Sequence, residues 1–209
     1  MSVSIKIPDS IALRNSYKQK FTLRDLYRTW VFLPVAIARF VANKKQQKVS
    51  SQFLERLQLA VTEVNACPAC SYAHTYMALK EGLSPEEINS FLSGDGKWVR
   101  PEEAKAMMFA QHFAEQGGCP GKDAVVALEE EYGLEAADVM ISAVQLMLAG
   151  NIIGLPYSAF QARLKGKPYK GSSIGYEIGM QLAAFALIPP AFLHGILRRL
   201  FGLPNRMAY

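Results

Sequence analysis

The sequence predicts an all-α protein built as one domain. Three observations carry that reading. Apolar residues recur at three- and four-residue spacing along nearly the whole chain. Strand signals are sparse, and no Asn-Gly or Asp-Gly turn joins two alternating runs. Ser, Pro and Gly punctuate the periodic stretches where helices start and stop. With 209 residues, half of them apolar and a fifth charged, the chain is long enough for a large core and short for two domains.

Residues 1–20 are polar and basic with one Pro, and read as an N-terminal arm on a helical domain spanning 21–209. The first long helix is expected over 23–41, interrupted or kinked at Pro34, whose ring removes a backbone donor. The next covers 51–64, with Phe53, Leu54, Leu57, Leu59, Ala60 and Val61 at roughly helical spacing. Asn65-Ala66 breaks it, and a helix from Pro68 to about Glu81 follows, closed by Gly82. Ser84-Pro85-Glu86-Glu87 is a strong start signal: Ser84 caps, Pro85 suits the first helical position, and Glu87 completes a capping box. That helix ends near Ser93-Gly94. Pro101-Glu102-Glu103 opens another, which runs to Glu115, and 122–132 forms one more, closed by Gly133. The stretch 134–164 is long and apolar, with breaks expected at Gly150, Gly154 or Pro156.

The last apolar stretch, 174–201, is long enough to span a bilayer. Glu177 is costly in lipid, and Pro189-Pro190 breaks the run. Two shorter C-terminal helices, buried in the core or at a subunit interface, are therefore expected in preference to a membrane contact. The net charge of +5 is spread over Lys44-Lys45, Lys48, 163–170 and Arg198-Arg199, which argues against a nucleic-acid partner. Three cysteines do not make a disulfide scaffold. The opening residues, Met-Ser-Val-Ser-Ile-Lys-Ile-Pro-Asp, carry no apolar signal, so a reducing cytoplasm is the expected location.

The chemistry concentrates in Cys67-Pro68-Ala69-Cys70-Ser71-Tyr72-Ala73-His74. A CxxC pair in a reducing compartment suggests a reversible dithiol or half a metal site. On a helix, Cys70 and His74 stack on one face, the spacing at which an imidazole takes a thiol proton. Cys67, at the helix start, sits where unpaired N–H groups favour a thiolate. Cys70 is then the first nucleophile and Cys67 the thiol that resolves its oxidised form. A histidine acting as base needs a group to fix its tautomer, and two carboxylates upstream are candidates, Glu55 and Glu63. Glu55 reaches His74 if its helix packs antiparallel to the CxxC helix. Zinc is disfavoured, because Cys119 and His112 fall at no common finger or ribbon spacing. A thioredoxin-like site is disfavoured by the missing βαβ pattern. Cys119 reads as a loop residue, His112 and His194 as helix histidines, and Met107-Met108 and the 140–147 methionines as core filling.

Glu55, Leu59-Ala60-Val61-Thr62-Glu63, Asn65, the Cys67, Cys70 and His74 set, Ala78, Gly82-Leu83-Ser84 and Glu87-Ile88 together resemble the carboxymuconolactone decarboxylase/AhpD-like alkylhydroperoxidase superfamily. The resemblance is specific over 50–92. It extends more weakly to Asn151-x-x-Gly154 and to 163–168. It implies an AhpD-like helical bundle, antiparallel helices around the CxxC helix, and a homo-oligomer. In the peroxidase branch a Glu–His–Cys relay activates the second cysteine, which assigns Glu55, His74, Cys70 and Cys67 to those roles. The decarboxylase branch lacks the cysteine pair. One departure is Ala69, where the family often carries His or Tyr as a second relay group.

The expected function is a thiol-dependent peroxidase acting on a hydroperoxide and recharged by an external dithiol or protein reductant, with no metal, flavin or haem required. One alternative is a lactone decarboxylase or isomerase using His74 and Glu55 as acid and base. Another is a non-enzymatic oligomer that senses oxidation or scaffolds.

Overall fold

The computed structural model describes residues 7–205. The helices run in the order α1 (Asp9–Ala12), α2 (Leu23–Gln46), α3 (Ser51–Asn65), α4 (Pro68–Lys80), α5 (Pro85–Ser93), a 3₁₀ turn (Pro101–Glu103), α6 (Ala104–Glu115), α7 (Lys122–Tyr132), α8 (Leu134–Leu164) and α9 (Ile174–Leu200). Among the described residues there is no strand, only an isolated bridge between Ser16 and Lys170. The fold is all-α.

Two helices form the centre. Helix α3 packs against α4, α5, α6 and α8, and α8 packs against α2, α3, α4, α7 and α9. Leu57, Leu59, Val61, Val144, Leu148 and Ile152 are almost fully buried between them. Each such side chain contributes about 1.5–3 kcal/mol of transfer free energy. Polar caps set the ends. Ser50 Oγ accepts from Phe53 N–H at the start of α3. The buried Asn43 side chain bridges both backbone groups of Val49, fixing the α2–α3 turn.

The turn after α3 places the CxxC. Ala66 is left-handed at φ 50° and buried, so the chain reverses within two residues and α4 returns antiparallel to α3. Gln52 Nε2 donates to Glu81 O at 2.8 Å at the far end of the pair.

Several sequence expectations change in the fold. Helix α2 passes through Pro34, α8 passes through Gly150, Gly154 and Pro156, and α9 is one helix through Pro189-Pro190, not two. A proline inside a helix costs about 3 kcal/mol, and packing along the rest of these long helices offsets it. Gly195 has a specific task here. A Cβ at that position would run into the carbonyl of Val31, so the glycine lets α9 lie directly on α2 beside Pro34.

Helix α9 is also less buried than expected. Glu177, Met180, Ala184, Ala191 and Gly195 face inward, while Ile174, Ile178, Leu182, Phe185, Leu193 and Leu200 face outward and are exposed. Helices α8 and α9 are both long and apolar enough to cross a membrane; α8 is mostly buried inside the protein and α9 is not. Met107, Met140 and Met147 fill the core, but Met108 is exposed.

Glu87 does not complete a capping box. Ser84 Oγ caps Glu87 N–H, but the Glu87 carboxylate turns to Arg56 at 3.0 Å. Arg56, 1% exposed, also makes two bonds to Glu103, at 2.8 and 3.1 Å. This charged knot ties α5 and the 3₁₀ turn to α3. The capping box occurs instead at Thr22 and Asp25. The arm is docked over its described part. Ile11 is buried, and Tyr17 OH bonds Ser172 Oγ.

Candidate active site

Cys67 caps α4: its backbone is extended, its Sγ accepts from Cys70 N–H at 3.3 Å, and Pro68 occupies the first helical position. This cap brings the two sulfurs together, and Cys67 and Cys70 form a disulfide with Cα atoms 5.3 Å apart. Cys67 is fully buried and Cys70 is 8% exposed.

One turn after Cys70, His74 Nδ1 lies 3.0 Å from Glu55 Oε2. A carboxylate facing Nδ1 holds the ring hydrogen there and leaves Nε2 with its lone pair as the basic atom. Both side chains are largely buried, at 14% and 10% exposure, so the contact is shielded from solvent. A cavity of about 350 Å³ reaches this couple from the surface, lined in part by Phe40, Leu54, Met77 and Leu146. Glu63 is elsewhere. Its carboxylate pairs with Lys18 at 3.3 Å and borders Gly94. The structure therefore pairs Glu55 with His74 and Cys67 with Cys70, both pairs at the α3–α4 hairpin, and leaves Glu63 outside.

The sulfurs are roofed by α8. A Cβ on Gly154 would lie 2.6 Å from Cys70 Sγ and 2.8 Å from Cys67 Sγ, so only glycine lets this helix approach the disulfide. Ser158, one turn on, accepts from Ala69 N–H at 3.2 Å and donates to Gly154 O at 2.7 Å. One turn before Gly154, Asn151 Oδ1 accepts from Asn65 Nδ2 at 2.8 Å, wholly buried. In the sequence Asn65 and Gly154 read as helix breaks, and Asn151 only as part of the resemblance; in the fold Gly154 lies inside the continuous α8. Sequence reading missed Ser158, which carries no local signal.

Neither Cys119 nor the other histidines join the site. Cys119 is a free, half-buried loop cysteine, His112 lies on α6, and His194 Nδ1 is 3.2 Å from Tyr27 OH. Among the described residues, no group of three or more His, Cys, Asp or Glu side chains is gathered as a metal site.

Fold and site together define a helical protein with a cysteine pair clamped between two helices and backed by a glutamate–histidine couple. Residues 35–111 match the model of the Carboxymuconolactone decarboxylase family, the family its residue pattern resembles. The matched span holds Glu55, Glu63, Cys67, Cys70 and His74 and stops short of the roofing helix α8. No curated protein and no solved structure matches the chain.

Proposed function

We propose that this protein is a thiol-dependent peroxidase whose working groups are Cys70, Cys67, His74 and Glu55. The observation that carries the reading is the disulfide Cys67–Cys70 on the same short helix as a carboxylate-anchored imidazole. In the reduced enzyme, His74 Nε2 takes the Cys70 thiol proton. The Cys70 thiolate attacks the terminal oxygen of a hydroperoxide. The O–O bond breaks, the alkoxide leaves as the alcohol with the proton from His74, and Cys70 becomes a sulfenic acid. The Cys67 sulfur then displaces hydroxide from that sulfur. The S–S bond forms and water leaves. An external dithiol reduces the disulfide by two thiol exchanges and is itself oxidised to a disulfide.

Glu55 keeps the imidazole in the useful tautomer and balances its charge while it holds the proton. Gly154 and Ser158 hold the CxxC turn against α8, which keeps the two sulfurs within bonding reach. With Ala69 in place of a second relay group, His74 is the one imidazole on the helix that Cys67 caps. A reducing cytoplasm suits the cycle because it supplies the dithiol. Self-association belongs to the same reading: the outward apolar face of α9 gives a homo-oligomer a surface to cover.

A peroxidase assay with cumene hydroperoxide and dithiothreitol tests this. Wild type turns over above background, and Cys67→Ser and Cys70→Ser each abolish turnover. The decarboxylase reading has one supporting observation, the description of the matched family. It assigns acid–base work to His74 and Glu55 alone, so under it activity on an acidic lactone survives both serine variants.

A further inference from the structure

The exposed stripe of α9 falls into two parts at Pro189-Pro190. Ile174, Ile178, Leu182 and Phe185 make up the first. Leu193, Ile196, Leu197 and Leu200 make up the second, which runs on into Phe201 and Leu203. The residues of each part recur at three or four positions, so they share one line along the helix. Between Glu177, buried against Arg163, and Arg198, α9 carries no Asp, Glu, Lys or Arg.

The second part adjoins a cationic cavity. About 520 Å³ opens between the ends of α2 and α9 and the start of α8. Its charged lining is Arg39, Lys48, Arg198 and Arg199 against Glu135 and Asp138. Both carboxylates are already paired, Asp138 with Arg39 at 2.7 Å and Glu135 with Lys48. Two arginines are left in excess. Arg198 stacks over Phe32 and donates to Pro204 O, and Arg199 is exposed with no carboxylate beside it among the described residues. Lys44 and Lys45, exposed in the last turn of α2, extend the basic edge. Leu203 is both exposed and part of the cavity wall, so the apolar line and the cations are continuous. On α2, the exposed Ile37 and Val41 stand one position before the lining residues Ala38 and Ala42.

We propose that the C-terminal half of α9, with the end of α2, docks this protein on an anionic phospholipid surface. Leu193, Leu200 and Phe201 enter the outer acyl region, and Arg199, Lys44 and Lys45 meet lipid phosphates. Apolar side chains framed by cations match the two layers of an anionic leaflet. Charge complementarity selects lipid over a second copy of the chain. A two-fold contact centred on this half of α9 would set Arg198 and Arg199 against their own copies. The helix lies in the membrane plane and does not cross it. Its inner face is packed on α2 and α8, with Gly195 against the Val31 carbonyl, and spanning would strip those contacts. The part of the stripe before the prolines stays available for self-association. The docking stands apart from the peroxidase reading, since no group of the Glu55, His74, Cys67 and Cys70 set takes part.

Sedimentation of the full chain with vesicles tests this. Vesicles of phosphatidylcholine and phosphatidylserine, about three to one, pellet the wild type, and vesicles of phosphatidylcholine alone leave it in solution. Raised salt weakens the binding. Lys45→Gln/Arg199→Gln lowers the partition coefficient roughly thirtyfold, about fivefold per cation at an anionic surface. Leu200→Ser/Phe201→Ser lowers it by more than about tenfold through lost apolar burial. Both of those side chains are exposed, so its Tm stays at the wild-type value. Leu182→Ser, before the prolines, and Lys97→Gln, on the loop after α5, keep wild-type binding. Failure to pellet with anionic vesicles overturns the proposal, and so does equal binding to the two vesicle types. A loss in Leu182→Ser as large as in Leu200→Ser/Phe201→Ser overturns the placement on this half of α9. Sedimentation velocity without lipid checks the other occupant: an oligomer that Leu200→Ser/Phe201→Ser splits into monomers assigns the face to a second copy and overturns the proposal.

Discussion

Gly154→Ala adds one methyl group at the point where α8 meets the disulfide. That carbon would sit 2.6 Å from Cys70 Sγ and 2.8 Å from Cys67 Sγ. Ordinary contacts to carbon lie near 3.5–4.0 Å, so helix or sulfurs must separate by roughly 1 Å. Overpacking of this kind costs about 1–3 kcal/mol. Alanine also has better helix propensity than glycine by about 0.5–1 kcal/mol, which leaves a net loss of up to about 2.5 kcal/mol. Gly150 provides the control on the same helix. A Cβ there meets only Met147 Cε at 3.9 Å, so Gly150→Ala keeps the propensity gain without the clash. For a chain of this length, 1 kcal/mol corresponds to about 2–4 °C in Tm. Calorimetry on the oxidised protein should therefore show Gly150→Ala melting at or above wild type and Gly154→Ala several degrees below Gly150→Ala. Peroxidase turnover should fall in Gly154→Ala only, since the displaced turn no longer holds Cys67 and Cys70 in register. Equal Tm values for the two variants would refute the placement of α8 over the sulfurs.

Two further outcomes follow from the site and its frame. Glu55→Gln should lower kcat/KM for hydroperoxide by about 10²-fold, within the range of a lost general-base couple, and slow Cys70 alkylation by iodoacetamide at pH 7. Glu63→Gln should leave both near wild type, and the reverse pattern would place the orienting carboxylate wrongly. Hydrogen bonds from Arg163, with help from the Ser172 hydroxyl against the effect of burial, hold the Glu177 carboxyl below its ordinary value of 4.5. A carboxyl lowered in the folded state stabilises above that ordinary value, and the contribution is lost as pH falls through the folded one. Wild type should then melt above Glu177→Gln at pH 7, with the gap closing as pH falls below the ordinary value of 4.5; a constant gap would show that the ion pair is not linked to folding.

Helix periodicity, the Ser84 cap and the Gly133 stop were readable locally, because each depends on residues a few positions apart. The prolines misled for the same reason. A local cost of about 3 kcal/mol marks Pro34, Pro156 and Pro189-Pro190 as breaks, while the packing that outweighs it comes from residues far away in the chain. The capping box assigned to Glu87 failed likewise. Arg56, thirty-one positions upstream, offers that carboxylate a stronger, charged partner than the backbone N–H of the cap.

The chain alone determined the chemistry on offer: two thiols three apart, and an imidazole one turn further on one helical face. Those relations follow from the 3.6-residue repeat and need no tertiary contact. Only the folded structure decided which carboxylate serves His74, because Glu55 and Glu63 lie on one helix and are separated by which end faces α4 after the reversal at Ala66. It also decided that Gly154 and Ser158 roof the sulfurs from about ninety residues away. Close packing brings together segments whose separation in sequence carries no local signal.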